Sequence, residues 1–203
     1  MNYSEIIELA LGYADRSDAE VTDRMDDFLK LVESRVNRKL DVRKMSTRSQ
    51  INTVEGQAYY GLPTDFNGLR DIEIAGDKTL TLRYLTPEQM NMQTQTSTDA
   101  YTQIYYTIVA DQLQIHPTQS DNVLEIVYYQ MLPALTDVDI ENWLSFSAPD
   151  AYVFGLLVEI NSFVKDATTA QLWDGRFEQV MDELETDDKD DRWSGTPLQQ
   201  RVT

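Results

Sequence analysis

Residues 104–117 read Ile-Tyr-Tyr-Thr-Ile-Val-Ala-Asp-Gln-Leu-Gln-Ile-His-Pro, and residues 124–133 read Leu-Glu-Ile-Val-Tyr-Tyr-Gln-Met-Leu-Pro. Short apolar and aromatic runs broken by polar turns predict strands at 103–109, 112–116 and 124–131, the first two joined through Ala110-Asp111. Amphipathic helical periodicity lies on both sides of this block. The fold class read from it is α+β.

Upstream, Asn2 and Glu5 have the spacing of a capping box before Ile6, Ile7, Leu9 and Leu11, so a short first helix is expected to stop near Gly12. Ser17 and Glu20 form a second candidate box. Val21, Met25, Phe28, Leu29, Val32, Val36 and Leu40 then recur at helical spacing and predict one long helix over 18–43. Its acids crowd the first turn and its bases the last, as the helix dipole favours. Strand-like alternation follows in 46–54, in 69–74 up to Gly76-Asp77, and at Leu80, Leu82 and Tyr84. Thr86-Pro87-Glu88-Gln89 predicts a short helix, and 93–100 a polar loop.

After Pro133 the helical period returns. Ser147-Ala148-Pro149-Asp150 signals a helix start. The helix it opens carries Tyr152, Phe154, Leu156, Leu157, Ile160, Phe163 and Val164 around most of its girth, so it should be central. The next helix, from about Ala167, has the stripe Ala170, Leu172, Trp173, Phe177, Val180, Met181 and Leu184. The expected organisation is a helical bundle from residues 1–44 and 137–185, with a small antiparallel β subdomain, 45–136, inserted in it. The tail from Arg192 to Thr203 shows no periodicity.

At 203 residues the chain can bury roughly 70% of its unfolded surface without a covalent staple. It has no cysteine, which excludes disulfides and thiolate metal sites. The longest apolar run, Ala151–Val158, is far short of a membrane span, and Asn-Tyr-Ser-Glu after Met1 gives no signal pattern, so no membrane partner is expected. The formal net charge of −18 argues against a conventional nucleic-acid binder, which needs a basic footprint. The charge is unevenly placed. Six bases (Arg35, Arg38, Lys39, Arg43, Lys44 and Arg48) stand against one acid between 35 and 48, whereas 137–191 holds fifteen acids and three bases.

No reactive constellation emerges. His116 is the only histidine and stands at a strand end. No glycine-rich phosphate loop is present, and carboxylates are too abundant for any pair to signal glycosidase chemistry. Counted from Asp187 as a calcium loop, the sixth residue is Arg192 and the twelfth Leu198, where glycine and glutamate are required. Tyr105-Tyr106 and Tyr128-Tyr129 would suit stacking on single strands only beside a basic groove, so cross-strand packing and subunit contact are the expected roles. No catalytic residue, metal or cofactor is expected, and the protein is not read as an enzyme.

Several phrases, in order, resemble the head-to-tail connector (adaptor) proteins of short-tailed bacteriophages. They are Tyr60-Gly61-Leu62-Pro63-Thr64-Asp65-Phe66, Leu113-Gln114-Ile115-His116-Pro117, Leu124-Glu125-Ile126-Val127-Tyr128-Tyr129 with Leu132-Pro133-Ala134-Leu135, and Pro149-Asp150-Ala151-Tyr152-Val153-Phe154-Gly155, followed by Trp173. Where Ala110-Asp111 stands, the family often has a glycine. The resemblance implies a structural virion protein at the head-tail junction, made in the host cytoplasm. It implies a ring, usually of about twelve copies, that docks on the portal protein, meets tail proteins, and passes DNA through its lumen without sequence-specific binding. It further implies an extended C-terminal arm that engages the portal, here residues 186–203 with Trp193, Leu198 and Val202. The basic cluster Arg35, Arg38, Lys39 and Arg43 is a candidate subunit interface facing an acidic C-terminal helix, unless the two meet within one subunit or simply face water. The alternative function is another virion assembly or regulatory protein-binding module of low oligomeric order.

Overall fold

The computed structural model describes residues 1–75, 81–96, 103–119 and 121–193. The chain is α+β, with seven α-helices and two small sheets among the described residues. It forms two compact units, one of Met1–Lys44 with Leu132–Thr203 and one of Met45–Met131.

The first unit holds α1 (Tyr3–Ala14), α2 (Ala19–Thr22), α3 (Met25–Lys39), and three helices after residue 132. Asn2 and Glu5 do form a capping box, with Glu5 N–H donating to Asn2 Oδ1 at 2.9 Å and Asn2 N–H to Glu5 Oε2 at 3.0 Å. The helix runs past Gly12 and ends on Asp15, whose left-handed backbone (φ 51°) turns its N–H back onto the carbonyls of Leu11 and Gly12. The second candidate box is not formed: Asp18 stands at the cap of α2 and makes no side-chain capping bond.

The single helix expected over 18–43 is broken. Asp23 closes α2, Arg24 takes φ −110° and ψ 2°, and α3 starts at Met25. Val21 and Met25 are both buried and four apart, so apolar spacing alone cannot reveal the break. At the other end Leu40 turns extended, and burial alternates through Leu40, Asp41 and Val42. The helical stripe therefore gives way to strand-like alternation three residues before Arg43.

Helix α5 (Trp143–Ser147) was not anticipated. Asn142 caps it, accepting from Ser145 N–H at 2.9 Å while Ser145 Oγ accepts from Asn142 N–H at 3.0 Å. Ser147 thus ends α5 rather than capping the next helix. Helix α6 (Pro149–Phe163) begins with proline at its first turn and no side-chain cap. It is the central element, and α1, α3, α5 and α7 (Ala167–Trp193) all pack on it. Gly155 sets the approach of α3 and α7. A Cβ built there would lie 2.7 Å from Val32 Cγ1 and 3.3 Å from Phe177 Cε2.

The second unit contains β1 (Ser46–Asn52), β2 (Tyr59–Gly61), β3 (Phe66–Ile74), β4 (Thr81–Tyr84), α4 (Pro87–Thr96), β5 (Gln103–Val109), β6 (Gln112–His116) and β7 (Val123–Gln130). The three strands of the opening block do not share a sheet. The hairpin β5–β6 lies in the sheet ordered β2-β6-β5-β4, and β7 is the centre of the other, β1-β7-β3. Leu124, Ile126 and Tyr128 alternate inward along β7 and join Ile72, Ile74, Ile104, Leu113 and Ile115 in one core.

The subdomain is not wholly antiparallel, because β4 and β5 run parallel. A parallel return needs a crossover, and α4 supplies it, extending through 93–96 where a loop was expected. The expected strand end at Gly76-Asp77, Leu80 and the polar stretch 97–100 lie outside the described residues.

Candidate interaction surfaces

The basic end of α3 meets the acidic side of α7 inside one chain. The Arg35 guanidinium pairs with Asp174 and with Glu178, the latter at 2.8 Å, and lies 4.5 Å from the centre of the Phe177 ring. Lys39 pairs with Glu178 and, at 3.2 Å, with Asp182. Beyond the helix, Arg43 donates its backbone N–H to Asp188 Oδ1 at 2.7 Å and holds the same carboxylate with its side chain at 3.5 Å. The hydrogen bond from Lys39, with Arg35 adding to it, keeps the Glu178 carboxyl below the usual range, and the same bond raises the Lys39 ammonium.

Three of the four predicted interface bases are therefore engaged within the chain. Arg38 differs. It is exposed, and its guanidinium donates one turn back, to Ser34 Oγ at 2.7 Å. The pairing within one chain was one of three readings the sequence left open. What the sequence lacked was the register of α7 against α3.

Of the expected arm, Trp193 is the last residue of α7, so residues 186–193 are helical. Leu198 and Val202 lie outside the described residues. A cavity of about 410 Å³ sits at the foot of α7, lined by Val42, Arg43, Lys44, Trp143, Leu184, Asp187 and Asp188. The Lys44 ammonium stands 5.8 Å from the Trp143 ring centre and donates to Ser147 Oγ at 2.8 Å. Asp187 and Asp188 belong to this helix. Among the described residues no group of three or more His, Asp or Glu is placed to hold a metal ion.

In the β unit Tyr106 and Tyr128 make ring contacts. Tyr106 meets Tyr84 edge-on with ring centres 5.7 Å apart, and Tyr128 stacks on Phe66 at 5.5 Å. Tyr128 also donates to Asp65 Oδ1 at 2.9 Å, and burial together with that carboxylate raises its hydroxyl to about 12. His116 ends β6, and burial lowers its imidazole below its ordinary value.

Two features escaped sequence reasoning. Glu33 is buried inside the first unit, where its Oε1 accepts from Leu135 N–H at 2.7 Å and from the Tyr152 hydroxyl at 3.2 Å. Its place four residues after Leu29 and three before Val36 was the available signal, since it falls on the apolar face. The other is a set of exposed apolar side chains in 138–146. Val138 is 82% exposed, Phe146 81% and Ile140 49%. Isolated exposed hydrophobics are ordinary, and here three fall within nine residues.

Within the first unit the described charge pairs and exposed apolar side chains form no reactive centre. A family model for the SU10 adaptor protein matches residues 1–201. The chain belongs to the SU10 adaptor protein family. It is thereby a phage structural adaptor, a virion component that contacts other virion proteins, and its family is not one of enzymes. No curated protein matches the sequence. Among the described residues of this adaptor, no helix is long and apolar enough to cross a membrane.

Proposed function

We propose that this adaptor assembles as a closed ring of about twelve copies at the head-tail junction, docks on the portal protein, joins it to the tail, and passes DNA through its lumen. The observation that carries the reading is the family match over residues 1–201. In this reading the helical elements at both chain ends form a bundle that builds the ring, and the inserted β subdomain faces the tail proteins. The C-terminal arm engages the portal.

A ring joins two different surfaces of each subunit. Of the basic cluster, Arg35, Lys39 and Arg43 would act by fixing α3 against α7, and Arg38 would reach the neighbouring copy. The net charge of −18 per copy supports a lumen that lets DNA slide rather than stick.

Native mass measurement of the chain, alone and with portal, tests the reading. A closed multi-copy ring on the portal is the expected result, and a chain that stays monomeric and ignores the portal overturns it. Trp193→Ala should weaken portal binding by about 30-fold, the scale of one buried aromatic anchor. Undiminished binding would remove Trp193 from the arm. A tight, salt-sensitive complex of the isolated protein with duplex DNA would contradict the sliding lumen.

A further inference from the structure

The segment after Leu135 is an apolar ridge with an acidic rim. Val138 and Ile140 alternate with Asp137, Asp139 and Glu141. The ridge is fixed at both ends. Thr136 Oγ1 accepts from the N–H groups of Val138 (3.2 Å) and Asp139 (2.9 Å), and Thr136 N–H donates to the Asp139 carbonyl at 2.9 Å. Further on, Tyr3 N–H donates to the Ile140 carbonyl at 2.9 Å, and the Tyr3 hydroxyl bonds Asp26 on α3. A segment held this way presents Val138 and Ile140 to solvent with little left to order on binding.

Helix α3 carries a matching surface. Leu31, Ser34 and Arg38, spaced three and four apart, share one stripe. Leu31 is 53% exposed, and Arg38 ends the stripe with a positive charge. Asp27, one turn before Leu31, pairs with Lys30 at 3.3 Å, so the stripe's outward charge is that of Arg38.

The two surfaces complement each other, and the charged end of the stripe stands away from the ridge. The ridge is tied to Asp26, and Arg38 lies twelve residues further on, about 18 Å along the axis at 1.5 Å per residue. Within one chain the two apolar surfaces do not cover each other, since Val138 is 82% and Leu31 53% exposed.

We propose that the ridge of one copy docks on the α3 stripe of a second copy, Val138 and Ile140 covering Leu31 while Asp139 reaches Arg38. The inference rests on the ring reading and deepens it, because it supplies the two unlike surfaces that head-to-tail closure requires. The occupant is a second copy because each surface supplies what the other lacks. The ridge is apolar and acidic, and the stripe is apolar and basic.

The absence of native cysteine makes the test direct. A Leu31→Cys chain and a Val138→Cys chain are mixed, with and without portal, and oxidised. The mixture should form disulfide-linked pairs faster than either chain alone, and the doubly substituted chain should give a ladder. Arg38→Glu and Asp139→Arg should each slow that cross-link by about two- to five-fold, the scale of one exposed ion pair, and together restore it. Rings that form without preferential 31–138 cross-linking, or a charge swap without rescue, overturn the inference and leave the ring reading standing. Failure of every copy-to-copy association, by cross-link and by native mass, overturns both.

Discussion

Glu33 Oε1 lies 2.7 Å from the Leu135 backbone nitrogen and holds the returning chain against α3. The Tyr152 hydroxyl donates to the same oxygen, and Asn142 donates its side-chain N–H to that hydroxyl at 2.6 Å. One carboxylate thus links α3, the 132–142 segment and α6. The contact costs desolvation, because the group is buried.

That burial raises the Glu33 carboxyl above its ordinary value, although the bonds from Leu135 and Tyr152 oppose it. A raised acid binds more protons folded than unfolded. Its contribution is full below the ordinary carboxylate range and is lost as pH rises through the folded value. Glu33→Gln keeps an oxygen for Leu135 and should flatten this part of the stability profile. Glu33→Ala leaves a buried N–H unpaired and should cost about 1–3 kcal/mol. Thermal unfolding of both variants from pH 4 to 8 checks this, and a Gln variant with an unchanged pH profile would count against it.

Gly155 permits the contact of α6 with α3 and α7. Val32 would stand under 3 Å from an added methyl, so Gly155→Ala should destabilise by about 1–3 kcal/mol despite alanine's better helix propensity. Denaturant unfolding measures it. A stabilised variant would show that the helices can separate without penalty.

Ala110 occupies the two-residue turn between β5 and β6 with φ 52°, a conformation that favours glycine. Ala110→Gly relieves that strain and loosens the unfolded chain, leaving a net gain of up to about 1 kcal/mol. A lower unfolding midpoint in urea is the contrary result.

The α3–α7 seam should divide by packing, since Arg35 covers the Phe177 ring. Arg35 keeps 27% of its side chain exposed and covers Phe177, so Arg35→Ala loses packing as well as charge and should cost about 1–2 kcal/mol. Lys39→Ala removes partly exposed, salt-screened pairs and should cost under about 1 kcal/mol, less in high salt. Equal costs that do not change between low and high salt would refute this division.

Helix periodicity made α1, α6 and α7 legible in the sequence, because their apolar positions recur every three to four residues over several turns. The break at Asp23–Arg24 was not, since a change of axis leaves the spacing of Val21 and Met25 intact. Asn142 had the residue type for a cap, but its partner Ser145 lies outside the usual Glu or Gln pattern. The candidate surfaces were half legible: the charge clusters showed, but not which charges neutralise one another.

The sequence by itself determined the α+β class, the absence of thiol chemistry and the likeness to phage adaptors. These depend on local periodicity, composition and short phrases, all readable along one chain. Tertiary structure alone decided that β7 leaves the hairpin β5–β6 for another sheet, that Arg35, Lys39 and Arg43 are engaged within the chain, and that Val138 and Ile140 are exposed. Each depends on partners far away in sequence, and periodicity within one element carries no information about the register of another.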